Sequence, residues 1–206
     1  MMVFLFRKKK EGKTAEEWFD LGNKEKDPEK KIEYYSKCLE LDPKYADAWN
    51  NKGFALRESG RYEEALRCFD KAIEIDPEDA DAWSHKGVTL HDLGEYEEAI
   101  KSLDKFIEIT LETLKRDGIN WKSDNSFIFF RNGRIDDRVL LLFNAWNIKG
   151  DALCNLGKYK EAINCHEKAL EIAPNSEGTK IMMYKAKVNQ WKREGYKVDG
   201  LEEMLK

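Results

Sequence analysis

The chain has 206 residues, of which 41% are apolar, enough to build a core for one large domain or one solenoid. Charged residues make up 37%, but both signs are interspersed and the formal net charge is only −4, which argues against a nucleic-acid-binding surface. No run approaches the roughly 20 apolar residues of a membrane span, so we expect no integral membrane segment.

The first predicted segment, 1–13, is a tail in which an apolar run, 1–6, precedes a basic run, 7–10. A signal peptide has the opposite order, so we expect a cytoplasmic protein. Weak peripheral membrane attachment through this tail is an alternative, although a single anchor of this kind gives marginal binding.

Residues 14–45 predict a first pair of helices. Trp18 and Gly22 lie at helical spacing in the first helix, and Tyr35 lies in the second. The turn between them is predicted around Asp27, where this pair is three residues shorter than the pairs that follow.

Residues 46–79 predict a complete helix pair. Trp49, Gly53 and Leu56 share one face at helical spacing, and Gly60 supplies the left-handed turn that ends the first helix. A second apolar stripe follows, and an Asp-Pro step ends the second helix because proline disfavours helix in the residue before it.

The same pattern recurs 34 residues later in 80–118, with Trp83 and Gly87 at the equivalent positions. A fixed period of this length is typical of a stacked helix-pair solenoid. In this copy Leu111 stands where the preceding copy has its proline, so the second helix is predicted to run on for roughly two turns, to Gly118.

Residues 119–135 interrupt the period. An Asn-Gly pair at 132–133 is a hairpin signal, yet acidic residues follow at 136–137, so either an ordered loop or a short hairpin is expected. The aromatic residues of this insert either project as a surface for a partner or for self-association, or fold back over the extended helices. They are Trp121, Phe127, Phe129 and Phe130.

Residues 136–176 contain a further copy, from Trp146 to Pro174, and Asp136 is predicted to cap a first helix that is extended upstream. The last segment, 177–206, predicts a capping helix and a tail.

The capping helix is strongly basic, and a basic helix can also dock an acidic partner. Its apolar stripe, expected to face the repeats, consists of Ile181, Tyr184, Val188 and Trp191.

The copies that begin near Trp49, Trp83 and Trp146 resemble the tetratricopeptide repeat, whose pattern is W-x2-L-G-x2-Y, then A-x3-F, A and P. A lysine replaces the leucine of that pattern in all three copies: Lys52, Lys86 and Lys149. The resemblance implies an all-α, right-handed superhelical solenoid of helix–turn–helix repeats with a C-terminal capping helix. It also implies a non-catalytic scaffold that binds a protein or peptide partner.

In tetratricopeptide proteins the first helices of successive repeats line a concave groove. By this resemblance the groove positions lie one, five and eight residues after each tryptophan: Asn50, Phe54, Arg57, Ser84, Val88, His91, Asn147, Asp151 and Cys154. Amides, apolar side chains and one guanidinium suit an extended peptide, with the guanidinium available for a carboxylate. The groove could instead be filled by the insert or by the N-terminal tail of the protein itself.

One subtype of the family grips the acidic C-terminal tails of chaperones with two asparagines and three cations. Asn23 and Asn51 match the asparagine positions, but the cationic positions hold Phe19, Asp81 and His85. Without those cations we argue against that ligand.

Motifs for catalysis are missing: the sequence has no phosphate-binding, dinucleotide-binding or nucleophile-elbow motif. His85 and His91 are six residues apart and cannot share a metal from one helix face. The cysteines are spaced neither as a disulfide framework nor as a metal site, so reduced thiols are expected. We therefore expect no enzyme activity, no cofactor and no metal. A homo-oligomer formed through the insert remains an alternative function.

Overall fold

The structure is a computed structural model that describes residues 9–119, 130–131 and 134–198. Within these residues the chain forms nine α-helices and one short two-stranded sheet, which confirms the predicted all-α class. The helices are α1 (Ala15–Lys24), α2 (Pro28–Leu41), α3 (Ala46–Glu58), α4 (Tyr62–Ile75), α5 (Ala80–Asp92), α6 (Tyr96–Arg116), α7 (Asp137–Asn155), α8 (Tyr159–Ile172) and α9 (Glu177–Arg193). The chain divides into two compact units, Met1–Thr89 and Leu90–Lys206.

In the first unit, the helices of each pair approach closely at a glycine. A Cβ atom placed on Gly53 of α3 would lie only 2.6 Å from Cε1 of Phe69 on α4. Gly22 of α1 stands in the same relation to the ring of Tyr35 on α2. Since any larger side chain would meet the ring, glycine is what allows the two helices of a pair to pack this closely.

The lysines that replace the consensus leucine have a structural role. Lys86 Nζ lies 5.7 Å from the ring centroid of Trp83 and 2.6 Å from Oδ1 of Asp70, on the preceding second helix. In the second unit, Lys149 makes the equivalent contacts with the ring of Trp146 and with an aspartate of α6. Lys86 and Lys149 therefore each tie the first helix of their repeat to the second helix of the repeat before it.

The repeat tryptophans also bind the loops that precede them. The indole N–H groups of Trp49 and Trp83 donate to the carbonyl oxygens of Pro43 and Pro77, at 2.9 Å each. Trp146 Nε1 is buried and has no hydrogen-bond partner among the described residues. The physical reason is that its sixth preceding residue lies inside α7, so no proline loop is present there to accept the bond.

In the second unit, α6 is longer than the second helices of the other repeats, and α7 is longer than their first helices. With leucine in place of proline at position 111, α6 continues to Arg116 and is followed by Gly118 at φ +71°. Asp136 caps α7, and Arg138 donates to Oδ2 of Asp117 at 2.7 Å, which joins the start of α7 to the end of α6. The extended turns pack on each other through fully buried leucine and valine side chains: Leu114, Val139 and Leu142.

Part of the insert is described as a short hairpin. Strands β1 (Phe130–Arg131) and β2 (Arg134–Ile135) pair antiparallel, with Phe130 opposite Ile135. The second strand is short because Asp136 directly afterwards is the N-cap of α7.

The prediction for the buried face of α9 is wrong. Ile181, Tyr184 and Trp191 are 42%, 49% and 41% exposed, and Val188 is the one buried residue of the predicted stripe. The buried face of α9 instead carries mostly small or flexible side chains: Thr179, Met183 and Ala186. Ala186 lies in a core cluster with Ala162 and Cys165 of α8, and such small side chains let the two helices come close together.

The close approach at Gly53 yields a first prediction. Gly53→Ala is expected to lower the free energy of unfolding by about 1–3 kcal/mol, because the added methyl group meets the ring of Phe69. Gly178→Ala in α9 is the matched control, since no atom lies within 4 Å of its Cβ position. It should change the free energy by less than about 1 kcal/mol. Urea unfolding followed by circular dichroism measures both, and equal losses would contradict the packing argument.

Candidate functional site

Five of the predicted groove residues belong to the first unit. We call them the unit 1 face: Asn50, Phe54 and Arg57 on α3, and Ser84 and Val88 on α5. Their spacings of three and four residues put them along one side of each helix. The structure brings α3 and α5 together through His85, which stands between the two α5 members of this face in the sequence.

His85 is a residue that the groove pattern missed. Its Nδ1 lies 2.9 Å from Oδ1 of Asn50, and its ring centroid lies 5.0 Å from that of Phe54. On its other side the ring lies 5.6 Å from that of Phe69. Burial lowers the pKa of His85, so the ring is neutral at pH 7.

Asn50 therefore makes its contacts mainly inside the protein and offers little surface to a ligand. It is 6% exposed, and its amide oxygen is within hydrogen-bond distance of the His85 ring. Phe54 and Arg57 are partly exposed, and the ring contact with His85 holds the Phe54 side chain in place. The unit 1 face thus offers a fixed aromatic ring with a guanidinium one turn further along α3.

Asn23 and Asn51, which match the two asparagines of the chaperone-binding subtype, are hydrogen-bonded to each other. Asn51 Nδ2 donates to Oδ1 of Asn23 at 3.1 Å, and the hydroxyl of Tyr35 donates to the same oxygen at 2.9 Å. The amide oxygen of Asn23 is thus used within the protein.

The remaining four groove candidates lie in the second unit, and one of them, Cys154 on α7, is a partly buried free thiol. We call the other three the unit 2 face: His91 at the end of α5, and Asn147 and Asp151 on α7. His91 Nε2 lies 2.9 Å from Oδ2 of Asp151. The hydrogen bond to Asp151 raises the pKa of His91, and the same bond lowers the pKa of the Asp151 carboxyl. The pair is therefore best stabilised when the imidazole is protonated and the carboxyl is ionised.

Asn147 is held by two partners in the second unit. Its amide nitrogen donates to the carbonyl oxygen of Phe143, and its amide oxygen lies 3.3 Å from Nδ1 of His166. His166 is 1% exposed and lies against Gly150, and burial lowers its pKa. The spacing from Ala162 to His166 equals that from Ala65 to Phe69 in the earlier repeat, and this alignment could have found it.

The described residues contain no cluster of three or more His, Cys, Asp or Glu side chains arranged to hold a metal ion. The four cysteines are unpaired. Burial raises the pKa of Cys38 to about 12 and those of Cys154 and Cys165 to about 11, so these thiols stay protonated at pH 7 and are poor nucleophiles. Over the same described residues, none of the helices combines the length and the apolar character that crossing a membrane requires.

The aromatic insert remains a prediction. Trp121, Phe127 and Phe129 lie outside the described residues, as does the tail at 1–8, and only the backbone of Phe130 is described.

Comparison with known families gives matches to helical repeats. Two models described as tetratricopeptide repeat match the chain, one at 46–79 and 143–176, the other at 68–101. A model described as protein prenyltransferase alpha subunit repeat matches residues 28–59 and overlaps the first of these.

A relative in sequence is an uncharacterized protein of Methanocaldococcus jannaschii, which is 57% identical over 49 residues. The matched stretch covers 24% of this chain and 56% of that protein, so the chain spans little more than half the length of this curated relative.

Solved structures resemble the chain over most of its length. A crystal structure of MamA protein has a TM-score of 0.68 at 19% identity and covers 88% of this chain and 85% of that one. PilF of Pseudomonas aeruginosa has a TM-score of 0.61 at 19% identity, and the match covers 87% of this chain and 68% of PilF. At these identities the likeness concerns the fold alone. The matches to the two family models, together with the repeated packing of tryptophan, glycine and lysine in the helix pairs, show that the chain contains tetratricopeptide repeats.

Proposed function

We propose that this chain is a non-catalytic interaction protein that binds an extended peptide segment of a partner protein on its first-helix faces. The observation that carries the proposal is the side chain of Phe54, which is partly exposed and contacts the ring of His85. Phe54 lies one turn before Arg57 on α3. A fixed aromatic ring contributes apolar contact area without losing much side-chain entropy on binding. Aromatic and arginine side chains are also those that dominate binding energy in protein interfaces.

The chemistry of the unit 1 face defines the preferred ligand. Phe54 and Val88 offer apolar contacts, Ser84 offers a hydroxyl to a peptide backbone, and Arg57 suits a carboxylate because a guanidinium binds it with two parallel hydrogen bonds. An extended segment with an apolar side chain next to an acidic one meets these requirements.

The location of the protein belongs to the same proposal. Four unpaired and mostly buried thiols fit a reducing compartment, and we place the protein in the cytoplasm on that ground.

A second candidate function is self-association, and exposed leucines favour it. Leu140 and Leu141, in the extended first turns of α7, are 53% and 38% exposed and follow the hairpin of the insert closely in the chain. If these residues drive assembly, Leu140→Ser with Leu141→Ser should convert a concentration-dependent oligomer into a monomer in light scattering. A chain that is monomeric at all concentrations would exclude this alternative.

The peptide proposal predicts selective binding. Random peptides displayed on phage and selected on the full chain should yield a consensus with an acidic and an apolar residue. Arg57→Glu should weaken the selected peptides by at least about tenfold, since it replaces the proposed carboxylate ligand by a like charge. Isothermal titration calorimetry measures the dissociation constants.

Arg67→Glu is the matched control, because Arg67 is exposed on α4 and the charge change is the same. Equal losses in both variants, or no enriched consensus, would contradict the proposal.

The unit 2 face predicts a pH dependence of stability. Folding raises the pKa of His91 above its value in the unfolded chain, about 6.5. The stabilisation that the His91–Asp151 pair gives to the folded state is therefore fully present below about pH 6.5. It is lost as the pH rises through the pKa that His91 has in the folded state. Asp151→Asn should therefore lower the free energy of unfolding more at about pH 6 than at about pH 8.5, by less than about 1 kcal/mol since both side chains are partly exposed.

Thermal unfolding at several pH values measures this difference. Asp104→Asn is the control, because its partner Lys149 is a lysine and not a histidine, the side chain that changes charge in this range. A loss of stability in Asp151→Asn that grows towards high pH would contradict the role given to the His91–Asp151 pair.

A further inference from the structure

One side of α9 has a regular apolar pattern, and three of its four residues are exposed. Ile181, Tyr184, Val188 and Trp191 follow one another at intervals of three, four and three residues. We call these four residues the outer stripe. This is the spacing of the a and d positions of a coiled-coil heptad, along which a second helix can lie. Val188 is already buried, so the contacts open to a partner are those of Ile181, Tyr184 and Trp191.

Lysines border the outer stripe on both sides. With Ile181 at an a position, the lysines occupy four e and g positions: Lys180, Lys185, Lys187 and Lys192. Lys187 Nζ lies 5.9 Å from the ring centroid of Tyr184, next to the stripe. The carboxylate of Glu177 pairs with Lys180 at 2.9 Å, and no other acidic residue lies within α9. A chain with a net charge of −4 therefore concentrates positive charge along this helix.

A cavity lies at the C-terminal end of the outer stripe. It has a volume of about 360 Å³ and lies between Trp191 and the residues that follow α9, Tyr196 and Val198 among them. Tyr196 is 65% exposed, so a second aromatic ring is available beside that of Trp191.

We propose that the outer stripe docks an acidic amphipathic helix of a partner protein. Such a helix would place apolar a and d residues on Ile181, Tyr184 and Trp191, and acidic e and g residues opposite the four lysines. Charges at e and g positions set partner choice in coiled coils. The outer stripe shares no residue with the unit 1 and unit 2 faces, and the inference does not depend on the peptide proposed for them.

Charge excludes a second copy of α9 as the occupant, since two copies side by side would set lysine against lysine at the e and g positions. The chain's own residues 199–206 also combine acidic and apolar residues and are the competing occupant.

The test uses a synthetic peptide as the probe. A fluorescein-labelled helix of about three heptads, with leucine at a and d and glutamate at e and g, is titrated with the full chain and followed by fluorescence anisotropy. A peptide with lysine at e and g and a scrambled peptide with the same glutamates serve as comparisons. We expect the acidic helix to bind at least about tenfold more tightly than either.

Variants of the chain assign the binding to the outer stripe. Tyr184→Ala with Trp191→Ala should weaken the acidic helix by at least about tenfold. Lys185→Glu with Lys187→Glu should reverse the preference in favour of the lysine peptide, a gain that misfolding cannot produce. Lys71→Glu with Lys101→Glu is the matched control on exposed lysines of α4 and α6, and it should leave binding unchanged.

Three results would overturn the inference: equal binding of the scrambled peptide, no reversal in the charge-swapped variant, or binding only after removal of 199–206. The last result would assign the outer stripe to the chain's own tail. Arg57→Glu separates this inference from the proposed function, because it should leave the acidic helix bound as before.

Discussion

The packing of a large ring against a glycine is the constraint on which three helix pairs of this protein depend: α1 with α2, α3 with α4, and α7 with α8. In each of these pairs a ring packs on a glycine of the partner helix. The ring and glycine pairs are Tyr35 on Gly22, Phe69 on Gly53 and His166 on Gly150. Because the glycine has no side chain, the ring of one helix packs directly on the backbone of the other. The two helix axes therefore come close enough to bury the ring. The histidine fits this place because burial keeps it neutral, and it then lies within hydrogen-bond distance of an amide on the neighbouring helix.

A single missing proline has consequences across the second unit. Without it α6 continues to Arg116, and α7 begins early enough to pack on the added turns. The start of α7 then occupies the place of the proline loop, and the indole of Trp146 loses the carbonyl that Trp49 and Trp83 bind. The lysine contact on Trp146 survives, since it depends on α6 and not on the loop.

The proposed binding surfaces differ in chemistry. The unit 1 face offers a fixed ring and a guanidinium and fits an extended segment, whereas α9 offers a heptad stripe between lysines and fits a helix. The ionic groups of the unit 2 face, His91 and Asp151, are paired with each other, so the strength of their contact depends on pH. A protein with these surfaces could hold two partners of different secondary structure.

The sequence by itself determined the features that depend on local periodicity. The helix pairs, the left-handed turn at Gly60 and the N-cap of α7 at Asp136 follow from spacing, backbone sterics and short-range hydrogen bonds, which act within a few residues. Only the tertiary structure decided which face of α9 is buried. Either face of that helix could form a core, and the close approach of Ala186 to small side chains of α8 selected the one without the aromatic residues. The pairing of His91 with Asp151, sixty positions away, and of His85 with Asn50 likewise depends on how helices stack, which no local pattern encodes.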